Sequence, residues 1–308
     1  MNVFSIIWLL KNKESTNMER EQHIKNRHIF PSPTRMCLYG SIVVLVYIVT
    51  CCLVLLYQDR LVYSPTYEIP LTPWNLRLSY KDISLNLMDG PRIAGWFVNA
   101  KNPKGVILFC HGEYGNMSRW LESLKTYHDL GYSTLIFDYP GYGQSPGKPT
   151  EDKTYTSAMA AWNYLVSQRG YDPGQIIVCG RGLGGAVAAW LAEQKPCKAL
   201  ILESTFTSMK DVFSEIFSFL PVAWLCHFSY DTKAHLKNIH CPVLIVHSTQ
   251  DDLIGFHHGK ALYEQASRPK SFLPITGTHS MGFVTCRAAY LRGLEAFLKN
   301  ADASKTGA

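Results

Sequence analysis

Residues 175–192 read Gln175-Ile-Ile-Val-Cys-Gly-Arg-Gly-Leu-Gly-Gly-Ala-Val-Ala-Ala-Trp-Leu-Ala192, and the fold is most readily inferred from this stretch. Its first five residues are a short, mostly apolar run, which is typical of a buried β-strand. The residues from Gly184 onward are typical of a buried helix, and the turn between the two contains Gly180, Gly182 and Gly184. The sequence therefore predicts a strand that passes through a tight turn into a helix.

Strand-like and helix-like segments alternate along most of the remaining chain, which predicts an α/β fold with a mostly parallel, doubly wound sheet. The predicted strands are 83–87, 93–98, 106–110, 133–137, 199–202, 243–246 and 272–275, and the predicted helices are 118–128, 157–168, 259–265 and 285–299. An aromatic-rich segment, about 206–240, interrupts the alternation. We expect it to form a small helical cap over the carboxyl ends of the strands, with an ordinary pair of core helices as the alternative.

The composition fits a folded domain and does not indicate a nucleic-acid-binding protein. The chain has 308 residues, of which 47% are hydrophobic and 18% charged, so a sizeable core is expected. The net charge is +6, but the first 36 residues hold six Lys/Arg and three Glu, which accounts for 6 − 3 = +3 of it. The rest of the chain is only mildly basic.

Residues 37–57 form an uncharged, apolar run of 21 residues. At about 1.5 Å per residue, such a helix spans a hydrocarbon core of roughly 30 Å. A signal peptide or a buried core helix is the alternative, but the run is too long and too far from the N-terminus for a signal peptide. The predicted organisation is a basic tail (1–36), a transmembrane anchor (37–57), a linker (58–80), the α/β domain (81–301) and a short tail (302–308).

The charges that flank this run predict its orientation. Six basic residues precede it, whereas only Arg60 and Arg77 occur in the next twenty residues. The positive-inside rule then places the N-terminus in the cytoplasm and the domain on the extracytoplasmic or luminal side. A glycosylation sequon at Asn116-Met-Ser118 is compatible with that side, although short sequons are frequent by chance.

The remaining cysteines and histidines give no metal or disulfide signature. Nine cysteines lack CxxC spacing, so neither a zinc site nor a disulfide framework is predicted. The adjacent pair His257 and His258 is interpreted as a surface pair, because neighbouring residues of a helix point in different directions. We expect no metal and no cofactor.

Three positions follow the order nucleophile, acid, histidine that serine hydrolases of this class use. In the pattern Gly-x-Ser-x-Gly, the nucleophilic serine would occupy position 182, where this chain has Gly182. The acid is predicted to be Asp251, with Asp252 as the alternative, after the strand at 243–246. His279 in a Gly-Thr-His loop is the predicted base. Solvated loop aspartates and an ordinary loop histidine are the structural alternatives.

Two backbone N–H groups are predicted to bind the oxyanion of a tetrahedral intermediate. One belongs to Glu113, in the His-Gly-Glu loop that follows the strand at 106–110, and the other to Leu183, directly after the turn. Both donors are main-chain groups, so neither depends on a serine at position 182.

Taken together, these motifs resemble the membrane-anchored, bud-emergence-type α/β-hydrolase-domain family, whose neighbours include serine aminopeptidase-like hydrolases and protein depalmitoylases. The resemblance covers roughly residues 55–300 and is carried by seven segments, namely 56–63, 110–112, 138–145, 180–185, 203–208, 247–251 and 277–279. It implies a membrane-tethered serine hydrolase with a Ser-Asp-His triad, in which Asp251 and His279 match. Gly182 departs from that pattern, and Ser248 replaces a usual glycine.

The glycine leaves two classes of function open. One is a hydrolase of acyl ester, thioester or amide type whose turnover is impaired, with an acyl-containing small molecule or an acylated protein as substrate. The other is a non-catalytic pseudohydrolase that acts as a membrane-tethered ligand-binding or interaction module. Losing a triad nucleophile costs on the order of 10⁶ in kcat.

Overall fold

The computed structural model describes residues 32–88 and 90–303, and the chain divides into two units between Leu56 and Tyr57. Helix α1, Pro33–Val62, begins with a proline in its first turn, where the ring costs no hydrogen bond. Its 30 residues are long and apolar enough to cross a membrane, judged by length and composition only. Most of the predicted basic tail, residues 1–31, lies outside the described residues.

The second unit is built on an eight-stranded sheet, and the prediction of an α/β fold with a mostly parallel sheet is confirmed. The strand order is β10-β9-β8-β7-β4-β6-β3-β2, with antiparallel pairs only at β2–β3 and β3–β6. A two-stranded parallel sheet joins β1 and β5. The strands are β1 (Ser64–Pro65), β2 (Tyr80–Leu85), β3 (Ile93–Val98), β4 (Val106–Cys110), β5 (Tyr114–Gly115), β6 (Ser133–Phe137), β7 (Ile176–Arg181), β8 (Ala199–Glu203), β9 (Val243–Ser248) and β10 (Lys270–Ile275).

Helices cover the sheet on both faces, so its central strands are buried along their whole length. All five residues of β4 and the first four of β7 have no exposed surface. The further helices are α2 (Leu121–Asp129), α3 (Glu151–Asn163), α4 (Leu183–Gln194), α5 (Met209–Ile216), α6 (Val222–Leu225), α7 (Thr232–Leu236), α8 (Phe256–Gln265), α9 (Gly282–Thr285) and α10 (Arg287–Ala303). Burial on both faces explains why these strands are continuous apolar runs without alternation.

Helix boundaries differ from the sequence-based ones where the helix ends are polar. Helix α3 begins at Glu151 rather than 157, because the Thr150 side chain accepts a hydrogen bond from Lys153 N–H and caps it. The predicted C-terminal helix is two helices, α9 and α10. The interrupting segment forms three short helices, α5 to α7, between β8 and β9.

Candidate active site

The turn between β7 and α4 has a backbone conformation that favours glycine. Gly182 has φ 55° and ψ −124°, a region that costs other residues about 1–3 kcal/mol. Its N–H donates to Glu203 O at 3.0 Å, and its carbonyl accepts from Thr205 Oγ1 at 2.7 Å. The backbone N–H and the carbonyl of Gly182 therefore both hold the turn against the end of β8 and the residues just after it.

A buried ion pair between Arg181 and Glu203 packs beside this turn. The Arg181 Nε and Nη2 donors contact Glu203 Oε2 at 2.9 and 2.7 Å, and Glu203 is fully buried. The Tyr290 hydroxyl donates to the other oxygen, Glu203 Oε1. The guanidinium also stacks on Phe283, 3.4 Å from the ring centroid. A buried carboxylate with three donors is satisfied, so it can hold Arg181 in one geometry.

Asp251, not Asp252, contacts the imidazole of His279. His279 Nδ1 lies 2.9 Å from Asp251 Oδ2 and 3.0 Å from Oδ1. The N–H groups of Leu253 and Ile254 donate to Asp251 Oδ1 at 3.0 and 2.8 Å, which fixes the carboxylate. Asp252 instead accepts from the backbone N–H of His279 at 2.9 Å. The two aspartates thus orient the ring and the loop separately.

The electrostatics of this pair favour a charged acid beside a protonatable base. Burial disfavours the ionised form of Asp251, but the hydrogen bond and charge of His279 and two backbone N–H groups hold its pKa below the usual value. Burial likewise lowers the pKa of His279, yet the hydrogen bond and charge of Asp251, together with the charge of Glu113, outweigh it and raise that pKa. Asp251 therefore orients the ring through Nδ1 and leaves Nε2 free toward the turn.

The imidazole and the turn are close enough for nucleophile and base. A Cβ atom built on Gly182 with ideal geometry would lie 3.8 Å from His279 Nε2. A serine hydroxyl on that atom would reach hydrogen-bond distance of the ring by rotation about χ1. The structure thus brings together Gly182, Asp251 and His279, while their roles in catalysis stay predictions.

The predicted oxyanion loop is held in place, but its carboxylate adds a feature that sequence reasoning missed. Glu113 O accepts from Tyr142 Oη at 2.7 Å and from Ser64 N–H at 3.0 Å, and within residues 32–88 and 90–303 the Glu113 N–H has no hydrogen-bond partner. The other predicted donor, Leu183 N–H, is directed at Glu113 Oε2 at 3.4 Å. The same oxygen would lie 2.8 Å from a Cβ on Gly182. The carboxylate therefore occupies space that any other side chain at position 182 would need.

An apolar pocket of about 190 Å³ opens beside this carboxylate. The inserted segment supplies half of its lining, including Phe206 and residues of α5. Leu183 and Ile254 line it from the turn and from the Asp251 loop. The pocket is thus continuous with the residues that the sequence singles out, and its walls suit an alkyl or acyl chain.

One sequence-based interpretation needs correction. His258 is buried, not a surface residue: its Nδ1 accepts from Thr207 N–H at 3.2 Å. Its Nδ1 also lies 2.9 Å from Thr207 Oγ1, and its Nε2 lies 3.2 Å from Glu215 Oε1, a carboxylate oxygen that His257 also contacts. Glu215, His257 and His258 thus form a cluster that the surface-pair interpretation missed.

Two of the cysteines form a close pair that their spacing in the sequence does not indicate. Cys197 and Cys241 show no regular spacing in sequence, yet their Sγ atoms lie 3.3 Å apart. They precede β8 and β9, which are adjacent parallel strands. Neighbouring strands, and not sequence spacing, bring the two thiols together.

Comparison with known proteins agrees with this fold. The alpha/beta hydrolase fold family matches residues 105–225. An uncharacterised protein of Mycobacterium tuberculosis is 34% identical over 222 residues, covering 71% of this chain and 79% of the relative. Alpha/beta hydrolase domain-containing protein 17B of Homo sapiens is 34% identical over 214 residues, covering 68% of this chain and 72% of the relative. This chain belongs to the α/β-hydrolase domain family.

Solved structures of several α/β-hydrolases share the fold of this chain. An esterase of Pyrococcus furiosus superposes with a TM-score of 0.65 at 19% identity, covering 77% of this chain and 97% of the esterase. An alpha-beta hydrolase of Vibrio vulnificus gives a TM-score of 0.61 at 22% identity, covering 71% and 81%. At these identities the likeness extends to the fold of this α/β-hydrolase and no further.

Proposed function

We propose that this α/β-hydrolase is of the serine hydrolase type, suited to acyl ester, thioester or amide substrates, and that its turnover is impaired because Gly182 replaces the nucleophile. The observation that carries the proposal is the Asp251–His279 pair, with Nε2 directed at the turn 3.8 Å from a Cβ on Gly182. An imidazole held in that way serves as a general base for a nucleophile at position 182. The apolar pocket beside it suits an acyl chain.

The proposal includes a membrane anchor. Helix α1 supports it by its length and apolar composition, and the basic residues before it favour a cytoplasmic N-terminus with the domain on the extracytoplasmic or luminal side. The full chain should then stay in the membrane pellet after alkaline carbonate extraction. Release into the supernatant would contradict the anchor.

A second candidate, a ligand-binding pseudohydrolase, is favoured by the position of the Glu113 carboxylate. It takes up the Leu183 N–H, one of the two donors that an oxyanion would need, and lies where a nucleophile's side chain would begin. A negative charge there opposes the developing negative charge of an acyl-transfer transition state.

Covalent labelling with a fluorophosphonate tests the proposed function. We expect no labelling of the wild type, and labelling at position 182 in the double variant G182S/E113A, which restores a hydroxyl and removes the competing carboxylate. Labelling should disappear when His279→Ala is added. Labelling of the wild type would refute the impairment. A folded G182S/E113A variant that is not labelled would refute the hydrolase assignment of Asp251 and His279.

A further inference from the structure

The pocket beside the turn has one charge in an otherwise apolar lining. Among the residues that the structure describes around it, only Glu113 is charged, and the other eleven are Leu, Val, Ile, Phe or Met. Glu113 is partly exposed, and its carboxylate needs partners once a ligand fills the pocket and covers it, because an unpaired charge is costly to bury. The oxygens of the Glu113 carboxylate therefore need hydrogen-bond donors from the protein or from a ligand.

The partners of Glu113 within the protein are few. Its carboxylate accepts the Leu183 N–H at 3.4 Å, which is long for a hydrogen bond. In the described part of the chain no lysine or arginine forms an ion pair with it, and the nearby Arg181 is taken by Glu203. His279 uses Nδ1 for Asp251, and in the described part of the chain no hydrogen bond joins its Nε2 to Glu113.

The local charge is negative as a result. Asp251 and Glu113 are two carboxylates around one imidazole, so protonation of His279 neutralises only one of them. Arg181 and Glu203 cancel each other. An anionic ligand such as a fatty acid would add a third negative charge, whereas a cation would balance the second.

We propose that this pocket binds an amphiphilic organic cation: a protonated amine that pairs with Glu113, with an apolar chain against the pocket walls. The proposal builds on the binding-module candidate above, and it names the ligand class of that same pocket. An ammonium group donates up to three hydrogen bonds, which suits a carboxylate with open acceptor sites. The walls that it would need, Phe206, Met209 and Phe213 among them, are already buried and apolar.

This ligand class also gives Gly182 a function. A Cβ at position 182 would lie 2.8 Å from Glu113 Oε2, closer than side-chain carbons are found, so the carboxylate must shift when position 182 carries a side chain. Gly182→Ala should therefore shift the Glu113 carboxylate and weaken amine binding without adding any reactive group. Gly182 then contributes to ligand binding, in addition to removing the nucleophile.

The test compares three eight-carbon ligands on the purified full-length protein in a non-ionic detergent, by isothermal titration calorimetry at neutral pH against detergent blanks. Octylammonium should bind about 10–100-fold more tightly than octan-1-ol, the range that a charge-assisted hydrogen bond supplies, and octanoate should bind most weakly. Glu113→Gln should reduce octylammonium to the affinity of octan-1-ol and leave octan-1-ol unchanged. Glu215→Gln, the same change on the exposed side of α5, is the matched control and should leave octylammonium unchanged.

Two results would overturn the proposal. One is octanoate or octan-1-ol binding as tightly as octylammonium; the other is unchanged octylammonium affinity in Glu113→Gln. If Glu113→Gln does not fold, Gly182→Ala provides the second test, because it should also reduce octylammonium selectively. The labelling of G182S/E113A is independent of amine binding, so failure of this proposal and failure of the hydrolase assignment give different patterns.

Discussion

Restoring the nucleophile alone should not restore full activity, because Glu113 occupies the oxyanion donor of Leu183. The perturbation is a double-mutant cycle of Gly182→Ser and Glu113→Ala. In the serine background the Glu113 carboxylate shifts but stays beside the Leu183 N–H, because only its terminal oxygen meets the Cβ, so it competes with the transition state for this donor. Loss of a single oxyanion-hole donor costs about 10²–10³ in kcat, or about 2.7–4 kcal/mol. G182S/E113A should therefore exceed G182S by that factor.

Each single variant of the cycle also has an expected rate or an expected change in unfolding free energy. Glu113→Ala with glycine at 182 has no hydroxyl to activate, so its rate should rise by less than about tenfold over the wild type. Gly182→Ser places a Cβ 2.8 Å from Glu113 Oε2 and adopts φ 55°, so it should lose about 1–3 kcal/mol of unfolding free energy. Part of that loss should return in the double variant.

The assay is the steady-state hydrolysis of p-nitrophenyl butyrate, with unfolding measured on the same preparations. Adding Asp251→Asn to the double variant is the control, and it should reduce kcat by about 10⁴ because the ring loses its orienting partner. Equal kcat values for G182S and G182S/E113A would refute the reasoning, since they would mean that Glu113 does not compete for the Leu183 N–H. An equal effect of Glu113→Ala in the glycine and serine backgrounds would refute it as well.

Two further predictions concern protonation and stability. The pKa of His279 is raised in the folded protein, so the stabilisation from its protonated ring is complete below the unfolded pKa of about 6.5 and disappears as the pH rises through the folded pKa. His279→Gln should therefore cost more unfolding free energy below that pH window than above it. Equal costs in denaturant titrations at the two pH values would contradict this. Glu203→Ala leaves Arg181 buried without its partner and should cost about 3–5 kcal/mol in thermal unfolding, whereas Glu122→Ala, which breaks the exposed pair with Arg287, should cost less than about 1 kcal/mol. A similar loss in both would contradict the importance of the buried pair.

The sequence predicts the sheet well because its strands are buried on both faces. The strands 93–98, 106–110 and 133–137 match β3, β4 and β6 in both bounds. The choice of Asp251 over Asp252 agrees with the contact to His279, since the position after β9 already favoured it. Strand ends and loop spacing place these residues, and both can be read from one sequence.

The remaining features depend on contacts between distant segments. Glu113 and Leu183 are separated by 70 residues, and Glu113 Oε2 lies 2.8 Å from the position of an ideal Cβ on residue 182. The burial of His258 depends on its contact with Thr207, 51 residues away. Periodicity and propensity carry no information about such pairs, so the carboxylate in the site and the buried histidine could be found only in three dimensions.

The proposed extracytoplasmic or luminal position of the domain is best tested with Cys197 and Cys241. The Asn116 sequon is a poor reporter, because Asn116 is fully buried and its Nδ2 donates to Thr66 O and Glu68 O at 3.0 and 2.7 Å, so a folded domain has no room for a glycan there. The two thiols are 3.3 Å apart, and a disulfide needs a sulfur–sulfur distance of about 2.05 Å, a small approach.

On the extracytoplasmic or luminal side, a disulfide oxidant should take two electrons and two protons from this pair and join the starts of β8 and β9. Full-length protein from intact cells, alkylated before reduction, should then give a linked peptide pair by mass spectrometry, and Cys197→Ser should leave Cys241 alkylated. Alkylation of both thiols in the wild type would place the domain on the reducing side and reverse the predicted orientation. Both cysteines lie at the amino ends of β8 and β9, whereas the turn at Gly182 follows the carboxyl end of β7. The redox state of the two thiols is therefore independent of whether position 182 carries a hydroxyl.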